Sequence, residues 1–82
     1  MTYTYQPQGV CSRQMVVEIE DGIIGSVEVV GGCNGNLKGI ASLVRGMRAE
    51  DAVERLSGIR CGFKDTSCPD QLAKAITKAL AQ

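Results

Sequence analysis

The chain has 82 residues, nine Lys or Arg against nine Asp or Glu, and 44% apolar residues. This balance excludes a disordered polar tract, and no apolar run approaches the roughly 20 residues needed to cross a bilayer. The length allows one small domain, residues 1–82, with a marginal core, because so short a chain buries only roughly 60–65% of its unfolded surface.

Charge is unevenly spread. Residues 1–33 hold four acids and Arg13 as their one base, whereas residues 34–82 hold eight bases and five acids. Three aromatics and no net charge argue against a nucleic-acid partner. The opening MTYTYQPQG has neither a charged region nor an apolar region of signal-peptide type. The expectation is a cytoplasmic protein, not membrane-bound, in which thiols stay reduced.

In chain order, Thr2 to Gln6 alternates polar and aromatic residues and predicts an edge strand ended by Pro7. Gln14–Glu20 predicts a second strand with Met15, Val17 and Ile19 on one face, and Ile23–Val30 a third with Ile23, Val27 and Val29 inward. A two-residue Asp21-Gly22 turn would set Met15 opposite Glu28. A three-residue loop, Glu20-Asp21-Gly22 with Gly22 left-handed, pairs Ile19 with Ile23 and Met15 with Val27, keeping apolar residues together. The second register is the expected one.

After GGCNGN (31–36), Asn36 is the expected cap of a helix with Leu37, Ile40, Ala41 and Val44 as its stripe and Gly46 as its stop. A second helix, about Ala49–Ser57, turns Ala52, Val53 and Leu56 inward and ends at Gly58, with Ile59 folding back on Val53. The third has the form of a capping box, Ser67 with Asp70, and Pro69 in its first turn; Leu72, Ala73, Ile76 and Leu80 make its buried face. The predicted fold class is α+β: a small antiparallel meander of about three strands, then three helices packed on one sheet face.

The chemistry rests on Cys11, Cys33, Cys61 and Cys68. In the expected register Cys11 lies across from Gly31, near Cys33. Cys61 and Cys68 bracket the GFKDTS loop at the root of the last helix. Cys68, in a helix first turn, stands where unpaired N–H groups favour a thiolate. Four readings compete: a tetrahedral zinc site of four thiolates, an iron–sulfur cluster, a dithiol/disulfide pair, and four unrelated buried thiols. Two structural disulfides apply if the compartment is oxidising. GGCNGN fits neither GxGxxG nor the Walker pattern, so its glycines are assigned to tight geometry around Cys33. The absence of His excludes Cys–His catalysis, and Asp65 and Asp70 are assigned as loop and cap residues.

Thr66-Ser67-Cys68-Pro69-Asp70 spells TSCPD, and the chain resembles the small domain family named after that pentapeptide. Gly9-Val10-Cys11-Ser12, Gly31-Gly32-Cys33-Asn34-Gly35-Asn36 and Ile59-Arg60-Cys61-Gly62 are similar to the other cysteine segments of its stand-alone, four-cysteine bacterial members. The resemblance covers essentially the whole chain, and all four cysteines carry over. Relatives include the C-terminal domain of vitamin B12-dependent ribonucleotide reductases, so the resemblance implies a ribonucleoside-diphosphate reductase (oxidoreductase) label and a link to DNA synthesis. Eighty-two residues cannot enclose radical, substrate and cobalamin, and neither a cobalamin nor a nucleotide site is expected here.

The implied role is therefore an accessory one, by docking on a reductase or by thiol–disulfide exchange with it. Three expectations follow: zinc held by Cys11, Cys33, Cys61 and Cys68; a redox pair with Cys68 attacking and Cys61 resolving; or an interaction domain without activity of its own, its cysteines buried or stapling the core. A homodimer covering leftover apolar surface is a further expected partner state.

Overall fold

The computed structural model describes residues 1–10, 12–31, 34–60, 62 and 66–81, without the side chains of residues 34–36. Its elements are β1 (Thr2–Tyr5), β2 (Ser12–Glu20), β3 (Ile23–Gly31), α1 (Asn34–Val44), α2 (Ala49–Leu56) and α3 (Cys68–Leu80). The strands form an antiparallel meander in the order β1-β2-β3. Met15, Val17, Ile19 and Ile24 rise from one face of this sheet into a core closed by Val44, Ala49, Ala52, Leu72, Ala75, Ile76 and Ala79. α3 lies over β1 and β2, α1 lies over β3, and α2 packs chiefly on α3. The opposite sheet face carries Thr2, Thr4, Glu18, Ser26 and Glu28 in exposed positions. The α+β architecture is the expected one.

The hairpin register differs from the expectation. Glu20 pairs with Ile23 and Ile19 with Ile24, so the turn has two residues, Asp21 and Gly22. Both take positive φ, 54° and 77°, as a tight two-residue hairpin turn requires. The parity problem is solved by a shift between Glu18 and Ile19: Glu18 pairs with Ser26, leaving Gly25 extra on β3. This bulge moves Met15 opposite Val29 and Val17 opposite Val27, restoring one apolar face. It also puts Ile24 in the core and Ile23 at the surface, reversing the expected assignment of Ile23. Gly22→Ala is expected to lower stability by about 1 kcal/mol through its left-handed φ, with Asp21→Asn nearly neutral; urea midpoints of the two variants check this.

Smaller corrections concern helix ends. α1 starts at Asn34, so Asn36 lies in its first turn and is not its cap. Gly46, with φ 85°, does end the helix, and its N–H donates to the Ile24 carbonyl at 2.8 Å. The next residues continue this edge pairing: Ile24 N–H donates to Met47 O at 2.9 Å and Ala49 N–H to Gly22 O at 2.8 Å. The entry to α2 is thereby tied to the hairpin tip. Ile59 and Leu80 are exposed, 42% and 43%, contrary to their expected burial. No helix among the described residues is long and apolar enough to cross a membrane.

Candidate functional site

The start of α3 is fixed by residues that each answer a separate bonding need. Ser67 is the N-cap, with extended backbone, and its Oγ accepts from Asp70 N–H at 3.2 Å. The same hydroxyl donates to the Ile59 carbonyl at 2.6 Å, drawing the connection after α2 against the turn. Pro69 stands in the first turn, where a missing N–H leaves no bond unmade.

Only half of the expected capping box forms. The Asp70 carboxylate turns to the same connection, accepting from Gly58 N–H at 2.8 Å and from the Thr66 hydroxyl. Those two donors, the Thr66 hydroxyl foremost, hold its carboxyl below the ordinary value of 3.8 against the opposing effect of burial. Lys74 adds a partly exposed ion pair at 3.8 Å.

Gln71 extends the network toward the N-terminal segment. Its Oε1 accepts from the Tyr5 hydroxyl at 2.9 Å and from Gln8 N–H at 3.0 Å, while Nε2 donates to Thr66 Oγ1 at 2.9 Å. Gln71 is buried, so these bonds replace those it would make with water. Lys78 covers the Tyr5 ring at 5.4 Å. Gly9, at φ 72°, passes so close that a Cβ there would lie 3.3 Å from Thr66 Cγ2. Thr66 thus touches the N-terminal segment, Gln71 and Asp70 together.

Cys68 is the first residue of α3, half-buried against the core. Its Sγ lies 3.5 Å from Ser12 Oγ, across 56 positions of sequence. Ser12 pairs with Gly31 on β3, so it holds the place opposite Gly31 that the sequence assigned to Cys11. Cys11, Cys33 and Cys61 lie outside the described residues, as do Gly32 and residues 63–65, Asp65 among them. Among the described residues no group of three Cys, Asp or Glu could hold a metal ion.

Four contributors to this corner escaped the sequence reading: Ser12, Thr66, Gln71 and Tyr5. A signal existed for Gln71, which stands on the same helix row as the small residues Ala75 and Ala79. A polar residue heading a buried row implies a bonded partner. Ser12 and Tyr5 gave no such signal, since their roles depend on how α3 crosses the sheet.

The TSCPD signature is thus largely a joint: Thr66 relays between Gln71 and Asp70, Ser67 caps, Pro69 starts the helix, Asp70 binds the preceding connection, and Cys68 faces β2. No curated protein and no solved structure matches this chain. A family model, described as the TSCPD domain, matches residues 1–80. The chain therefore belongs to the TSCPD domain family, a domain known from ribonucleotide reductase-related proteins.

Proposed function

We propose that this chain is a four-cysteine module in which Cys11, Cys33, Cys61 and Cys68 hold one zinc ion, and that it serves as an accessory to ribonucleoside-diphosphate reduction. The observation that carries this reading is the gathering of their neighbours at one helix start. Ser12 stands 3.5 Å from the Cys68 sulfur, Gly31 pairs with Ser12, and the Ile59 carbonyl binds the Ser67 hydroxyl. Cys11 is one residue from Ser12, and Cys33 and Cys61 are two residues from Gly31 and Ile59. One residue step spans about 3.8 Å between Cα atoms.

Four thiolates suit a closed tetrahedral zinc site, and the half-buried Cys68 thiol has a hydroxyl as neighbour, a setting open to ligation. The ion would supply a redox-inert clamp, joining the β2–β3 end to the α2–α3 connection and the start of α3. In so small a domain that binding energy is folding energy. The partner surface, and with it the link to deoxyribonucleotide synthesis, rests on family membership.

The Ser67–Ile59 bond also favours a second reading, because it sets the segment before Cys61 beside the turn that carries Cys68. In it the Cys68 thiolate attacks a disulfide of a reductase, forming a mixed disulfide and releasing one partner thiol. The Cys61 thiolate then displaces the second partner thiol, leaving the reductase reduced and Cys61–Cys68 oxidised.

Elemental analysis with thiol counting on freshly purified protein separates the readings. The expected result is about one zinc per chain, thiols that titrate only after chelation, and loss of the cooperative melt once a strong chelator removes the ion. A metal-free, fully folded chain with four titratable thiols overturns the zinc reading; if its Cys68 also alkylates no faster than a model peptide, the second reading falls too and an interaction domain is left. A metal-free chain isolated with a Cys61–Cys68 disulfide establishes the second.

A further inference from the structure

Away from the cysteine corner, α1 and α2 leave between them a groove of about 420 Å³ floored by Ile40, Val44, Met47 and Leu56. Leu43 lines its edge at 76% exposure, the most exposed large apolar side chain among the described residues. The rim carries one charge of each sign, Asp51 and Arg55. These sit four apart on one helix, yet among the described residues neither has an ion-pair partner; the pairs formed are Met1–Glu20 and Lys74–Asp70.

We infer that this groove is a two-fold interface between two copies of the chain, with Leu43 of each copy seated in the groove of the other. In a two-fold contact whatever residue i meets, its counterpart meets in return. Such a surface needs a knob beside a matching hole and charges that exchange under the rotation. Antiparallel packing of α2 on its symmetry mate, centred near Val53, puts Asp51 opposite Arg55 of the other copy twice over. An unrelated partner would need to carry one acid and one base at the same spacing, which this chain already does. The short chain supplies the motive, since its own core leaves Leu43 exposed and Ile40, Met47 and Leu56 only partly covered. The inference is independent of what the cysteines bind.

Sedimentation equilibrium of the full chain over a wide concentration range tests this. A concentration-dependent dimer is expected, and Leu43→Glu, at an exposed site, should leave the circular dichroism unchanged and abolish it. Asp51→Arg and Arg55→Asp should each weaken the dimer by roughly tenfold, by setting like charges together twice. The double variant should recover it, and an equimolar mixture of the two single variants should form a heterodimer. A chain monomeric at every concentration overturns the inference. So does a dimer indifferent to Leu43→Glu, or one that charge exchange does not rescue.

Discussion

Replacing Asp70 with alanine is expected to destabilise the domain by about 2 kcal/mol, because it strips a partly shielded backbone N–H and a hydroxyl of their charged acceptor at once. Asp70 is only 7% exposed, and its two oxygens serve Gly58 N–H and the Thr66 hydroxyl separately. The Thr66 hydroxyl would then also lose its hold on Gln71, and through it on Tyr5 and Gln8. Against a total stability of about 4–12 kcal/mol for a chain of this length, the loss is large. Asp70→Asn keeps the shape and one acceptor, so its expected loss is smaller, about 1 kcal/mol. Lys74→Ala, removing only the partly exposed pair, should change stability by less than about 0.5 kcal/mol.

The same carboxylate sets an acid dependence. Its folded-state pKa lies below the ordinary 3.8, so its contribution is fully present above that value and is lost as pH falls through the lower, folded one. Wild-type stability should therefore drop with acid more steeply than that of Asp70→Asn, and the two curves should converge once the carboxyl is protonated in both states. Urea titrations of both proteins from neutral pH down to about pH 2 give the comparison. Parallel curves across the whole range would show that Asp70 carries no such burden.

What the sequence made legible was whatever a few neighbouring residues decide. Ser67 as cap, Pro69 in the first turn, Gly46 as a stop and Gly22 left-handed are all set by local backbone chemistry, and each is found. The three-strand, three-helix order was legible from periodicity for the same reason. The hairpin register was not. Parity alone chose a three-residue loop, but the chain combines the tighter Asp21-Gly22 turn with an extra residue at Gly25, and that glycine offered no unique sign of a bulge.

The partner of Asp70 was also hidden. A capping box is a local pattern, whereas the bond to Gly58 depends on where the end of α2 lies in space. Of the four cysteines, only the position of Cys68 at the helix start could be read locally, and the structure bears it out. Its approach to Ser12 spans most of the chain and depends on how α3 crosses β2.

Leu72→Ala is expected to cost about 3 kcal/mol and Leu80→Ala less than about 1 kcal/mol, although helical spacing places both on one stripe. Leu72 is 1% exposed, at the crossing of α3 over the sheet, where the fully buried Met15, Val17 and Ile76 leave little room for collapse around a cavity. Leu80, at 43% exposure, lies in the last turn, and it is Ala79 that occupies the buried row there, at 1%. The row Ala75–Ala79 is made of small side chains buried in the same core as Ala49 and Ala52 of α2, the helix that packs on α3. A larger residue in that row would overfill this core, and a smaller one at Leu72 would leave a cavity in it. Thermal and urea unfolding of the two leucine variants measures the contrast. Equal losses at the two positions would mean that α3 is rotated about its axis from the orientation that brings Cys68 to Ser12.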